Sequence, residues 1–174
     1  GLASGSTFPT TPNAFNTTYN GGQTDVFVTK FNSEGSNLEY STFVGGTKSE
    51  WAYDIQIDDE LFAYVTGWTN SNDFSTTENA FDRTYNGGTE SDVGAGSGMF
   101  SYTDVFVFKI NHDASELTSS TYLGGSTNDA YYANTDYCGL NIDKTGDVFI
   151  IGATEINYST GSSDFPITQD AYNE

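Results

Sequence analysis

The chain has 174 residues, and 24 Asp and Glu against 5 Lys and Arg give it a formal charge of −19. A field of that sign repels phosphate backbones and anionic headgroups, which argues against nucleic-acid binding and membrane insertion and for basic partners, divalent cations or solubility itself. Aromatics at 16% exclude a disordered chain, and 19 Gly with only 3 Pro fit short strands joined by polar turns.

From the N-terminus, GLASGSTFPTT reads as a mature or trimmed start. The first strong signal is DVFVTKF at 25–31, where β-branched and aromatic residues alternate at period two. NSEGSN turns it, and LEYSTFV at 38–44 runs back until Gly45-Gly46. AYDIQI at 52–57 is predicted as a third strand, DDE as its turn and LFAYVTG at 61–67 as the fourth. DVFVFKI and LTSSTYL follow, and CGLNI and DVFIIG, turned by DKTG, close the series. No segment holds a 3.6-residue period, so helix is expected to be scarce.

The order repeats itself. DVFVTKFNSEGSNLEYSTFVGG from Asp25 returns from Asp104 as DVFVFKINHDASELTSSTYLGG, with 12 of 22 positions identical. FPTTPNAF at Phe8 returns as FSTTENAF at Phe74 and FPITQDAY at Phe165. Four antiparallel strands in a unit of roughly 65 to 85 residues match a β-propeller blade. DVFVTKFN, YSTFVGG, DIQIDD and AYVTGWTNSNDFSTTENAF, in that order, resemble the SBBP repeat family of bacterial and archaeal β-propellers. The departures are insertions at 89–103, 128–137 and 153–163.

The resemblance implies an all-β propeller fragment of about two to three blades, in large envelope or extracellular proteins. It also implies a phase, with AYDIQI innermost and LFAYVTG, DVFVFKI and LTSSTYL following outward. On that phase 1–50 ends one blade with outer strands 25–31 and 39–44, 51–125 is a central blade with an inserted loop at 89–103, and 126–174 starts the next. Such an arc is expected to be part of a longer chain, or to be completed by neighbouring chains.

Glu50 and Asp129 each stand four residues after a Gly-Gly pair, just before the inner strand. Near a channel mouth they are candidates for Ca²⁺, which takes six to eight oxygens; otherwise each caps its own turn and faces water. Asp58 and Asp59, and Asp143 and Asp147, are weaker Ca²⁺ candidates, because the regular D-x-D-x-D-G spacing is missing. No cofactor beyond Ca²⁺ is indicated. Met99, Phe100 and Tyr102 in the longest insertion are candidates for gripping a protein or glycan ligand, and Asn16 and Asn157 head glycosylation-type triplets. Cys138, alone, is expected to pack as a small apolar residue, and His112 to be a turn residue rather than a triad member.

The expected function is a non-enzymatic secreted or cell-surface module for adhesion, assembly or display. The rivals are a filament or surface-layer subunit and a carbohydrate-active enzyme. The enzyme would bring Glu50, Asp54 and Asp129 within about 5 to 10 Å of one another.

Overall fold

A computed structural model of the chain describes residues 1–87, 102–129, 131–132, 135–136, 138–155 and 164–171. These residues contain eleven strands and no helix. Strands β1 (Leu2–Ala3), β2 (Asp25–Phe31) and β3 (Leu38–Val44) form a first sheet in that order. Strands β4 (Glu50–Ile57), β5 (Ala63–Thr69), β6 (Asp104–Ile110) and β7 (Leu117–Leu123) form a four-stranded central sheet in sequence order. A two-residue hairpin, β8 (Tyr131–Tyr132) with β9 (Thr135–Asp136), precedes a third sheet of β10 (Cys138–Ile142) and β11 (Val148–Gly152). Every strand pair is antiparallel. The all-β class and the order of strands within a blade are those expected from the repeat. Among the described residues no helix is long and apolar enough to cross a membrane.

Register puts the repeats in parallel correspondence. Ala52 pairs with Gly67 in the central sheet and Cys138 with Gly152 in the third, so β10 and β11 occupy the places of β4 and β5. Likewise Lys109 on β6 pairs with Ser119, and its counterpart Lys30 on β2 pairs with Tyr40. The sheets stack face to face as propeller blades do. Leu140 N donates to Asp54 Oδ2 at 3.0 Å, and Thr66 Oγ1 lies 3.2 Å from Cys138 Sγ, tying the third sheet to the central one.

Alternation decides the core. Val26, Val28 and Val44 of the first sheet meet Val65, Phe106 and Phe108 of the central one in one buried cluster. The Phe of each F-x-T-T block stacks on the Phe of its own DVFV segment: Phe8 on Phe27 at 4.1 Å, and Phe74 on Phe106 at 4.8 Å. The same blocks cover the outermost strand. Ser41 N donates to Thr11 Oγ1 and Thr11 N returns the bond to Ser41 O; Thr77 and Ser120 repeat the exchange. A loop thus occupies the outer edge that would otherwise offer unpaired backbone to another sheet.

Candidate functional site

The most regular polar feature lies where the last strand of one sheet hands over to the first strand of the next. Asp25 starts β2 and Glu50 starts β4, and both are fully buried. Asp25 Oδ2 accepts from Asn20 N at 2.6 Å. Glu50 Oε2 accepts from Gly46 N at 3.1 Å, and Oε1 from Thr69 Oγ1 at 2.7 Å. Gly45 separates the two acids so closely that a Cβ there would stand 2.6 Å from Glu50 Oε2 and 3.0 Å from Asp25 Oδ1.

The next handover copies the first. Asp104 Oδ2 accepts from Asn86 N at 2.8 Å, and Asp129 Oδ2 from Gly125 N at 2.7 Å. A Cβ on Gly124 would lie 2.7 Å from both Asp104 Oδ1 and Asp129 Oδ2. Asp25 Oδ1 and Asp104 Oδ1 are buried with no hydrogen-bond partner among the described residues. Burial, with the neighbouring acid adding to it, pushes Glu50 and Asp104 each up to about 7; burial pushes Asp129 up to about 6 and raises Asp25.

Glu50 and Asp129 therefore cap their own turns, as expected for loop acids, but they face inward rather than into water. Each is joined to an Asp that starts the preceding outer strand, not to the other. Among the described residues no three His, Cys, Asp or Glu gather in a way that would hold a metal ion. Asp54 gives its oxygens to Ile55 N and Leu140 N. Asp25 and Asp104, with Asp73 and Asp164, recur before corresponding strands and Phe residues, a pattern that predicts side-chain-to-backbone turn bonds, and all four accept one. Their pairing with Glu50 and Asp129, 25 residues further on, was not legible beyond the recurrence of an acid on both sides of each Gly-Gly pair.

The hairpin acids divide differently. Asp58 Oδ1 holds its turn through Glu60 N and Phe62 N, while Oδ2 meets Lys109 Nζ at 3.1 Å and accepts from Tyr64 OH at 3.2 Å. Lys109 also lies over the Phe62 and Tyr64 rings. Asp143, its counterpart, holds its own turn through Oδ1, which accepts from Thr145 N and Asp147 N; bonding from Thr145 lowers its pKa. Asp59 and Asp147 are exposed.

Tyr102 is half-buried, with its carbonyl accepting from Tyr85 OH. Asn16 Oδ1 accepts from Thr18 N, and its amide donates to Asn20 Oδ1. Met99, Phe100 and Asn157 lie outside the described residues. Cys138 packs beside Trp68 and Val105, and His112 sits exposed in its turn.

An apolar groove of about 450 Å³ runs between the outer half of the central sheet and β11, lined among others by Phe81, Val107, Leu123, Val148 and Ile150. Phe81 is 71% exposed, as are Phe149 at 60% and Ile151 at 75%. The family model described as a beta-propeller repeat, SBBP, matches residues 39–75. No curated protein and no solved structure matches the chain.

Proposed function

Because the chain carries an SBBP β-propeller repeat, we propose that it is a non-enzymatic assembly module of an extracellular or cell-surface propeller, working by joining its open sheet edges to further strand pairs. One observation carries this reading. In the central sheet β5 is buried along its whole length, whereas β11, in the same place of the repeat, exposes Val148, Phe149 and Ile151. An apolar strand with a free edge is an interaction surface.

A hydrolase would need acids open to a sugar, and burial of Asp25, Glu50, Asp104 and Asp129 favours the non-catalytic reading. The acidic surface and the lone cysteine support a setting in which solubility comes from charge rather than from a disulfide framework.

The reading is tested by extending the chain in register. Phe165 corresponds to Phe8, so Glu174 corresponds to Thr17, and residues 18–46 appended after Glu174 would supply the next strand pair. The expected result is a raised melting temperature and at least about tenfold slower amide exchange at Ile150 and Ile151 than in the parent. Unchanged exchange and melting would sink the proposal.

A further inference from the structure

We infer that the second handover, after β7, is a weak calcium site in which Asp104 and Asp129 hold the ion between them across Gly124. The site stands whether or not the sheet edges take further strands.

Two copies of one turn supply the comparison. Each sets a buried acid pair around the first glycine of a Gly-Gly, and each adjoins a polar cavity. The first cavity is about 260 Å³, lined among others by Asn16, Gly45 and Asp73; the second is about 370 Å³, lined by Asp82, Gly124 and Asp164 at matching places. The cavity therefore belongs to the repeat.

The copies differ in how far their oxygens are satisfied. Glu50 is one methylene longer than Asp129, and both its oxygens have donors, Gly46 N and Thr69 Oγ1. Asp129 Oδ2 has Gly125 N, but Oδ1 is buried with no hydrogen-bond partner among the described residues, and Asp104 Oδ1 is in the same state. Both residues are fully buried. Asp104 Oδ1 and Asp129 Oδ2 each lie 2.7 Å from one point, the place a Cβ on Gly124 would take. Ionised carboxylates accept and cannot donate, so oxygens that converge away from water need a cation or a proton between them.

The surrounding charge selects a cation. Asp82 stands where the first handover has Asn16, and Glu155 where it has Asn70. Thr127 replaces Lys48, while the exposed Arg83 replaces Thr17. Matched position for position, the second turn gains acid and no net base. Asp104 feels the charge of Asp129 and Asp82, and Asp129 that of Asp164 and Glu155. An all-oxygen setting suits Ca²⁺, which tolerates irregular geometry, better than Mg²⁺, which wants a tight octahedron. Two carboxylates with water from the cavity place the affinity in the range of about 10⁻⁴ to 10⁻³ M. The first turn, with one orphaned oxygen and fewer acids, is the control.

The test is calcium uptake by the chelator-treated full chain at pH 8, followed by equilibrium dialysis and melting temperature. One Ca²⁺ per chain is expected, with a rise in melting temperature of about 3 °C or more at about 10 mM. Asp104→Asn keeps an acceptor for Asn86 N and is expected to abolish uptake. Asp129→Glu, which installs the acid of the first turn, is expected to weaken it about tenfold, and Asp25→Asn to leave it unchanged. No uptake at about 10 mM overturns the inference, as does uptake that survives Asp104→Asn. An equal melting rise with Mg²⁺, or with NaCl at the same ionic strength, reduces the effect to screening of an acidic chain and overturns it too. Loss of uptake with Asp25→Asn overturns the assignment to the second handover. Should Asp104→Asn not fold, Asp129→Glu and Asp82→Asn decide: unchanged uptake in both overturns the site.

Discussion

Strands β5 and β11 hold the same position in the repeat and have opposite surroundings. β5 reads AYVTGWT and is buried throughout; β11 reads VFIIG, is the more apolar over the shared positions, and exposes most of its side chains. What buries β5 is not its own composition but the β6 strand paired to its outer edge and the sheets stacked on its faces. In a repeat protein each unit is stabilised by its neighbour, so two strands in the same repeat position differ in burial according to what is packed beside them. The first sheet teaches the converse: β1 covers only Asp25 and Val26 of β2, and Phe31 at the far end lies open.

The largest test of that contrast compares Ile110 with Phe31, which share one repeat position. Ile110→Ala removes a fully buried side chain opposite Ala63 and should cost about 2 to 5 kcal/mol in urea unfolding. Phe31→Ala should stay within about 0.5 kcal/mol, since a half-exposed ring on an open edge loses little. Equal costs would mean that the outer strand does not govern burial, and the comparison would collapse.

The period-two alternation of DVFVTKF and its return at Asp104 made the strands and their repetition legible, because a sheet's side-chain period is written directly in residue types, whereas the phase of the blade came only from the family resemblance. The edge-covering role of Thr11 and Thr77 was not legible, since a threonine that pairs with Ser41 or Ser120 is indistinguishable in sequence from one in an open loop. The β8–β9 hairpin was hidden for a similar reason, lying in an insertion with no second copy to align. At the candidate site Glu50 and Asp129 stood out by spacing, but the acids set beside them across Gly45 and Gly124, Asp25 and Asp104, are brought there by the fold rather than by sequence proximity.

Those acid pairs give the next largest effect, and they set both handovers apart from ordinary surface acids. Glu50 and Asp104 titrate near 7 and Asp129 near 6 in the folded chain, all above the usual carboxylate range that holds when unfolded. Between those ranges the folded state holds more protons than the unfolded one. Stability from these groups is therefore full at about pH 4 and lost as pH rises through about 7, by up to about 1.4 kcal/mol per pH unit per group. Melting temperature should fall between pH 5 and pH 8. Asp104→Asn keeps an acceptor for Asn86 N and sets an amide near Asp129, so it should flatten the fall by roughly 3 °C or more. Equal slopes for variant and parent, or a rise between pH 5 and 8, would remove the buried-acid account. A rise in melting temperature on adding Ca²⁺ at pH 8, abolished by Asp104→Asn, would replace the proton with a cation.

The smallest effect separates the two lysines. Lys109 holds Asp58 at 3.1 Å and sits against two aromatic rings, with its side chain mostly covered; Lys30 meets Glu39 at 2.7 Å on an open surface. An ion pair loses worth as water screens it, whereas partial desolvation and ring faces strengthen it. Lys109→Met should accordingly lower stability by about 1 kcal/mol, an effect reduced at high salt, and Lys30→Met should leave the isolated chain's unfolding midpoint where it was.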